Sequence, residues 1–599
     1  MVSASLTGSS LGRGLAGAAL ALCLSAGFAE ARRSPPAPVV AKPSPYAAAE
    51  SLEGNFLAAY IAGASRDTAA AAVFYREALK EDPNNPELLE RAFISLVADG
   101  DLDAAARAAD RLAARDSGNG LAQLTLGVRA LKARQYGQAR TIFAKSTRGR
   151  TADLTATLLT AWSFAGSKDG KRALETVSSI RGERGFAVFR DYHAGLIADL
   201  VGNSAEAERR FRAAYEADKT TIRVVDAYGR FLSRQGKADQ AVAIYKAFEA
   251  SAPRHPFIRL ALNELAAGKP LPSFIQNPQD GAAEVLYGLG SAGTQQGDEL
   301  ASLIYLRLAL QLNPDHSLAL VTMADVFERM KQTEQAIAVL QRVPAASPLK
   351  PNAEVQIGLS YEQLGKGDEA VRQLDRIRAE RPDDTDVLVA SGNVLRARKK
   401  YVEAAEVYTE ALARTPATDP GRWPLLYYRG TTYERAKEWD KAERDLKDAL
   451  ALVPDSQPLG RSQVLNYLGY SWVDTGRNID EAFKMLKRAV ELNPRDGMII
   501  DSLGWAYYRL GQYDDAVREL EKAAELKAGD PVINDHLGDA YWQVGRRLEA
   551  RFQWQHAKDS SPEPDDAAKI EDKLQGGLPD MPKPAEAQSN PTEQFKSGG

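Results

Sequence analysis

The stretch from Met498 to Ala528 carries a hydrophobic pattern that recurs along the chain. Apolar residues fall three and four positions apart in both halves of the stretch, which is the spacing of one face of an α-helix. They are Ile500, Leu503, Tyr507 and Leu510 in the first half and Ala516, Leu520 and Ala523 in the second. The pattern predicts two amphipathic helices joined at residues 511–514. Gly504 and Ala516 have little bulk on the predicted contact face, so the two helices can pack closely.

The small residue of the first helix recurs at a nearly constant interval. Gly469 and Gly504 are 35 residues apart, and Gly504 and Gly538 are 34 apart. Towards the N-terminus the same position is held by Gly430, Gly392, Gly358, Ala324 and Gly290 and, after a wider gap, by Gly229, Gly195, Ala161, Gly127, Ala92 and Ala59. This periodicity predicts about fourteen helix pairs between Ser51 and Pro562.

These positions resemble the signature of the tetratricopeptide repeat, which has Leu-Gly-x-x-Tyr in the first helix, Ala followed by an aromatic residue or Leu in the second, and Pro at the exit. Leu503, Gly504 and Tyr507 match the first helix, and Ala516 and Leu520 match the second. The resemblance implies an all-α fold, an α-solenoid of about fourteen helix–turn–helix repeats whose stacked pairs share one core.

The composition of the remaining segments divides the chain. We predict a signal peptide at residues 1–31, a Pro-rich linker at 32–49, an N-terminal arm of repeats at 50–253, a half repeat with an extended insertion at 254–282, a C-terminal arm at 283–562, a capping helix at 563–574 and a disordered tail at 575–599. Pro270 and Pro272 prevent a continuous helix in the insertion, which we expect to lie along a groove.

The predicted signal peptide favours export to a bacterial periplasm. Arg13 precedes an apolar run, residues 14–29, and Ala29 and Ala31 are small residues at the cleavage positions. Cys23 is the only cysteine, and Leu22 before it disfavours lipidation. Attachment to a membrane is therefore expected only through an uncleaved signal or a lipid on Cys23. Cleavage after Ala31 would leave the mature chain without a thiol.

Several local patterns could indicate chemistry, and each has a simpler interpretation. The net charge of −4 disfavours nucleic acid as a partner. The segment from Gly288 to Gly293 fits a dinucleotide fingerprint, but the required strand is missing from the pattern and Gly290 falls on the small position of a repeat. His536 and His556 are the closest candidates for a metal pair, although packing or surface roles are more usual. We predict no catalytic residue, no cofactor and no metal.

The likeness to tetratricopeptide repeats implies that the first helices line a groove that binds protein or peptide partners. The residues expected to project into it in the last four repeats are Tyr427, Asn466, Tyr470, Asp501, Trp505, Tyr508, Arg509, Asp535, Asp539 and Trp542. The alternative for Trp505 and Trp542 is packing between helices. The equivalent N-terminal positions are apolar, at Leu124, Val128, Leu158, Trp162 and Leu196. Either that arm winds tightly and buries them, or it offers an apolar site to another chain.

The sequence therefore predicts a non-enzymatic scaffold of the bacterial cell envelope that holds proteins or extended peptides; its oligomeric state stays open. The C-terminal block resembles periplasmic and outer-membrane repeat adaptors, among them adaptors that recruit a carboxy-terminal processing protease. A second hypothesis is a periplasmic bridge in an exopolysaccharide or protein export apparatus. A hypothesis of another class is an enzyme whose site is built on the solenoid.

Overall fold

A computed structural model describes residues 46–146, 150–181, 184–253 and 255–579. The predicted signal peptide, most of the predicted linker and the tail beyond residue 579 lie outside these ranges. Every regular element within them is a helix, and there are thirty. Two helices, α13 and α30, stand outside the pairs, and the other twenty-eight form fourteen successive pairs. The predicted all-α solenoid is confirmed.

The helices fall into two compact units that divide after Ala390. The first contains α1 Leu52–Ala64, α2 Thr68–Glu81, α3 Pro86–Asp99, α4 Leu102–Arg115, α5 Gly120–Lys132, α6 Tyr136–Phe143, α7 Arg150–Gly166, α8 Gly170–Ser178, α9 Arg184–Leu200, α10 Ser204–Ala217, α11 Ile222–Arg234, α12 Ala238–Ser251, α13 Pro256–Ala266, α14 Pro278–Gln296, α15 Glu299–Leu312, α16 Ser317–Arg329, α17 Thr333–Gln341, α18 Lys350–Gln363 and α19 Gly367–Glu380. Helix α20, Thr385–Ala397, crosses the division.

The second unit continues with α21 Tyr401–Arg414, α22 Arg422–Arg435, α23 Trp439–Leu452, α24 Pro458–Thr475, α25 Ile479–Leu492, α26 Gly497–Arg509, α27 Tyr513–Leu526, α28 Pro531–Gln543, α29 Arg547–Asp559 and α30 Pro564–Gly576. The predicted division at 254–282 thus differs from the observed one. The reason is that α14 and α15 pack back onto the N-terminal repeats and make one unit with them.

The pair α26–α27 shows how the local sequence builds each repeat. Asp496 caps α26 by accepting from the backbone N–H of Met498, and Gly511 takes a left-handed conformation, with φ of 74°, in the turn that follows. A Cβ atom added at Gly504 would lie 2.6 Å from Cγ of Leu520 on α27. The missing side chain therefore sets the close approach of the two helices.

The apolar N-terminal positions are buried by the chain's own helices. Helix α14 packs against α7 and α9, and α15 packs against α3 and α5. All five residues, Leu124, Val128, Leu158, Trp162 and Leu196, are buried. A Cβ atom added at Gly281 of α14 would overlap the ring of Trp162. Of the two alternatives for this arm, the structure supports tight winding.

The segment between α13 and α14 also lies on this surface. Its Leu271 and Ile275 are buried, and the backbone N–H of Leu271 donates to the hydroxyl of Ser233 over 2.9 Å. The guanidinium of Arg223 lies 4.0 Å from the ring centre of Phe274. The segment at 267–277 therefore lies along the first helices of the N-terminal unit, and it is shorter than the predicted insertion because α14 begins at Pro278.

A buried ionic cluster fixes α14 in place. Glu284 accepts from Nε of Arg223 at 3.0 Å, from the hydroxyl of Tyr192 at 3.1 Å and contacts Nε2 of His316 at 2.9 Å. Burial alone would raise the pKa of Glu284, but Arg223 and His316 hold it well below its usual range. A buried carboxylate that is paired in this way joins three helices, α9, α11 and α16, to α14.

The C-terminal unit ends in a helix that runs further than predicted. The sequence predicts a capping helix at 563–574 and disorder from 575, whereas α30 continues to Gly576 and residues 577–579 pack against Trp542. The prediction of disorder is therefore wrong for 575–579, because these residues have a tertiary partner that a composition argument does not detect.

Candidate functional site

The first-helix face of the C-terminal unit is the surface formed by the ten predicted residues on α22, α24, α26 and α28. The structure divides them by exposure. Arg509 is exposed; Tyr427, Asn466, Tyr470, Trp505 and Asp535 are half-buried; and Asp501, Tyr508, Asp539 and Trp542 are buried. Four of the ten therefore contribute mainly through packing and internal contacts, and six are accessible to different degrees.

A stack of three rings occupies the centre of this face. The indole of Trp505 is parallel to the ring of Tyr508, with centroids 4.7 Å apart, and to the imidazole of His536, with centroids 4.1 Å apart. Nδ1 of His536 lies 2.9 and 3.1 Å from the two carboxylate oxygens of Asp501. The rings of Tyr508 and His536 therefore hold the indole of Trp505 in one orientation.

For His536 the sequence suggests a metal ligand as one alternative and packing or a surface role as the more usual one, and the structure shows packing on Trp505 and a contact with Asp501. Burial lowers its pKa, but Asp501, Asp535 and Asp539 more than compensate and raise the pKa above the ordinary value. His556 lies elsewhere, with Nδ1 3.3 Å from Oδ1 of Asn534. Among the described residues no group of three or more histidine, cysteine or acidic side chains is arranged to hold a metal ion.

The pairing of His536 with Asp501 is a feature that sequence reasoning missed. The two residues lie on α28 and α26, which are neighbouring first helices that contact each other. An alignment of the repeats on Gly504 and Gly538 places Asp501 three positions before one glycine and His536 two positions before the other. That alignment is the signal from which the contact between the two side chains could have been predicted.

Two buried polar atoms on neighbouring helices of this face lack hydrogen-bond partners. They are Oδ1 of Asn466 on α24 and Nε1 of Trp505 on α26. Helices α24 and α26 contact each other directly. Buried polar atoms are nearly always paired, so these two atoms keep an unused capacity for hydrogen bonding. An extended peptide offers both an N–H and a C=O at every residue.

Aromatic side chains extend this surface towards α22. Tyr427 contacts Tyr467 edge to face, with ring centroids 5.8 Å apart, and the hydroxyl of Tyr467 donates to Glu434 over 2.8 Å. Burial raises the pKa of Tyr427 to about 12, so the ring stays neutral at physiological pH. At the other side, Nη1 of Arg509 donates to the backbone carbonyl of Asp474 over 3.3 Å.

The last repeat is already occupied by the chain itself. Nζ of Lys573 lies 2.8 Å from carboxylate oxygens of both Asp535 and Asp539. Nε1 of Trp542 donates to the carbonyl of Leu578 over 2.7 Å, and its ring also packs on Trp554. The prediction that Asp535, Asp539 and Trp542 are open to a partner is thus not supported by the observed packing, because α30 and the residues after it cover them.

The dinucleotide interpretation of Gly288–Gly293 is wrong for a simple reason. The segment lies within α14, which runs from Pro278 to Gln296, so its backbone N–H groups belong to a helix and not to a phosphate-binding loop. A Cβ atom at Gly290 would lie 2.8 Å from Cγ of Leu306, which confirms this glycine as the small position of its repeat.

None of the helices in the described ranges combines the length and the apolar content needed to span a lipid bilayer. The fold defines the class of protein as an α-solenoid of repeated helix pairs.

Comparison with known proteins gives the family. Models described as tetratricopeptide repeats match residues 294–356, 355–420, 425–456 and 504–545. The chain contains tetratricopeptide repeats over these residues, as its glycine and alanine spacing predicted. The matches at 425–456 and 504–545 include most of α22, the second half of α26 and all of α28.

The similar proteins share only part of their length with this chain. It is 29% identical over 186 residues to the TPR repeat-containing protein PA4667 of Pseudomonas aeruginosa, an alignment that covers 31% of this chain and 30% of the relative. It is 33% identical over 116 residues to the BBSome complex member BBS4 of Bos taurus, covering 19% of this chain and 20% of the relative. The chain therefore spans less than a third of either curated relative.

Among solved structures, a similar one is the APC/C hetero-tetramer Cut9-Hcn1. Its sequence identity to this chain is 14% and its TM-score is 0.38, and the alignment covers 88% of this chain and 97% of that one.

Proposed function

We propose that this protein is a non-enzymatic adaptor of the bacterial cell envelope that binds an extended segment of a partner protein on the first-helix face of α22, α24 and α26. The single observation that carries the proposal is the pair of buried atoms without a hydrogen-bond partner, Oδ1 of Asn466 and Nε1 of Trp505, on a face with half-buried aromatic rings. Tetratricopeptide repeats act as protein-binding scaffolds, and the proposal assigns the contact surface within one.

The chemistry of the face suits a peptide backbone. The amide oxygen of Asn466 can accept from a peptide N–H, and the indole N–H of Trp505 can donate to a peptide carbonyl. The rings of Tyr508 and His536 hold the indole in one orientation, so little side-chain freedom is lost when a partner binds. Tyr427 and Tyr470 supply half-buried aromatic area next to these polar groups.

Among the described residues, the equivalent first-helix surface of the N-terminal unit is not available to a partner, which supports the assignment of the binding surface to the C-terminal unit. Its first helices are covered by α14 and α15, and Leu158, Trp162 and Leu196 are buried beneath them. A partner could reach those positions only by removing two long helices and the ion pair at Glu284. The corresponding positions on α24 and α26 carry no such cover from the helices described.

The cellular setting is part of the proposal. The apolar run after Arg13 and the small residues Ala29 and Ala31 favour export to the periplasm. We propose a periplasmic protease as the recruited partner, with subunits of an exopolysaccharide or protein export apparatus as the alternative. N-terminal sequencing of protein from the periplasmic fraction tests the setting: a mature chain that begins after Ala31 supports it, and a full-length chain found only in the cytoplasmic fraction overturns it.

The partner is identified by photocrosslinking in living cells. A benzoylphenylalanine in place of Tyr470 or Arg509 should capture a specific protein, and one in place of Phe552 should not, because Phe552 is exposed on the second helix α29. A captured protease supports protease recruitment, and captured exporter subunits support the bridge. Identical products from Phe552, or no product from Tyr470 and Arg509, would overturn the first-helix face as the binding surface.

A further inference from the structure

The last repeat contains a second recognition surface, which its own C-terminal segment occupies. We define the resident segment as residues 573–579, Lys-Leu-Gln-Gly-Gly-Leu-Pro, and the last-repeat site as Asp535, Asp539, Trp542 and Gln543 of α28. We propose that the last-repeat site accepts an extended partner segment that carries a lysine or arginine side chain. The resident segment leaves the site when that partner binds. This inference rests on the proposed function and deepens it.

The first argument is charge. Asp535 and Asp539 are four residues apart on one face of α28, and Asp539 is only 5% exposed. Two carboxylates held together in a buried position repel each other unless a cation lies between them. Lys573 meets this need, with Nζ 2.8 Å from oxygens of both. A competing occupant must bring a cation of its own to the same place.

The second argument is that the last-repeat site binds the end of the resident segment through backbone carbonyl groups. Nε1 of Trp542 donates to the carbonyl of Leu578 over 2.7 Å, and Nε2 of Gln543 donates to the carbonyl of Pro579 over 3.3 Å. Contacts to carbonyl groups are available to any extended chain, whereas the lysine contact selects a side chain. The surface thus combines one specific pocket with general backbone recognition.

Gly577 adapts the resident segment to the indole. Its φ of 73° is in the left-handed region, and an added Cβ atom would overlap the ring of Trp542. A residue with a side chain at this place would be strained and would also collide with the ring. The segment is therefore shaped to fit against Trp542 through a residue that has no side chain.

The third argument is that, apart from the ionic contacts of Lys573, few buried contacts hold the resident segment and α30. Ile570 is the one residue of α30 that is buried, and Leu574 and Leu578 are half-buried. The ion pair between Lys558 and Glu571 is largely exposed, and such pairs contribute little. Helix α14, by contrast, buries nine residues, among them the paired carboxylate of Glu284. Elements with few buried apolar contacts have the lowest free energy of local opening. We therefore expect α30 to detach from its repeat more readily than α14 does.

The test uses the full-length chain and a fluorescent peptide of the resident sequence, Lys-Leu-Gln-Gly-Gly-Leu-Pro. The double variant K573M/G577A removes the cation and expels the backbone of the resident segment but leaves the last-repeat site intact. If the resident segment covers the site most of the time, the variant should bind the peptide about tenfold more tightly than the wild-type chain. Fluorescence anisotropy measures both dissociation constants.

Three controls define the specificity. K569M alters an exposed lysine on the same helix that pairs with Asp566, and should leave peptide affinity as in the wild type. A peptide with Met in place of its Lys should lose binding to the double variant, as should the intact peptide when D535N and D539N are added. Equal affinity of the double variant and the wild type, or equal binding of the Met peptide, would overturn the proposal.

A measurement on the unaltered protein covers the case in which the variants do not fold. An excess of the unlabelled peptide should accelerate amide exchange in α30, Pro564–Gly576, and leave α29, Arg547–Asp559, unchanged. Unchanged exchange in α30 at peptide concentrations that saturate the protein contradicts displacement. Crosslinking from Tyr470 does not depend on Lys573, so failure here and failure of the proposed function are separate results.

Discussion

The indole of Trp505 and the imidazole of His536 stack at 4.1 Å between centroids with an interplanar angle of 15°, although they belong to different repeats. The imidazole is held by Asp501, which lies on the same helix as Trp505. The two helices α26 and α28 are thus joined by one aromatic contact and one ionic contact. This arrangement fixes the edge of the indole, and with it the unpartnered Nε1 that the proposed function uses.

The pair formed by His536 and Asp501 should make stability depend on pH. The pKa of His536 is raised in the folded state, so the folded chain binds the proton more strongly than the unfolded chain. The stabilisation is fully present below the unfolded value of about 6.5, and it is lost as pH rises through the folded value. NMR titration of His536 should give a pKa above that value, and D501N should lower it. A pKa at or below the unfolded value contradicts the ionic contact.

Removal of the indole N–H should weaken partner binding. W505F keeps a ring between Tyr508 and His536 but deletes the donor that lacks a partner. Loss of one hydrogen bond to a neutral group predicts a change of about 0.5–1.5 kcal/mol in binding free energy. The partner identified by crosslinking provides the assay.

The matched control for this prediction is W472F. Trp472 is a buried tryptophan of α24 whose ring packs near Lys447 of α23, away from the first-helix face. The substitution should leave partner affinity unchanged. Equal effects of W505F and W472F would contradict the assignment of the binding surface.

The close approach of α26 and α27 should not tolerate a side chain. G504V places carbon atoms within 2.6 Å of Leu520, and overpacking of this kind costs about 1–3 kcal/mol. Urea denaturation of the variant should show this loss. Gly63 on α1 is the control, because a Cβ atom there meets nothing within 4 Å, and G63A should be neutral or stabilising by about 0.5–1 kcal/mol. A stable G504V variant would show that the repeats do not need the small residue.

Removal of the Glu284 carboxylate from the buried ion cluster of the N-terminal unit should lower the free energy of unfolding. E284A leaves Arg223 without its carboxylate in a site where Glu284 is only 4% exposed, and the loss of one partner of a buried pair costs about 3–5 kcal/mol. E299A, on the next helix, removes a carboxylate paired with the exposed Arg66 and should cost less than about 1 kcal/mol. Thermal unfolding compares the two. Similar losses would mean that the cluster does not hold α14.

The repeat architecture could be predicted from the sequence because its determinants are local. Gly504 and Leu520 lie within one repeat, and the spacing of small and apolar residues specifies their helices and the turn at Gly511. The positions that form the first-helix face follow from the same register. The sequence therefore places Asn466 and Trp505 on neighbouring helices of this face, and their contact with a partner stays a prediction.

What covers a face could not be predicted in this way. Trp162 and Gly281 are 119 residues apart, and Lys573 lies 38 residues after Asp535 in a helix outside the repeat pattern. The sequence alone specified the helix pairs, their small contact residues and the family, because a period of about 34 residues records contacts within and between neighbouring repeats. Only the tertiary structure decided that α14 and α15 fill the N-terminal face and that residues 573–579 cover the last repeat. Such contacts depend on the sum of the small rotations between successive repeats. The sequence of a single repeat does not determine that sum.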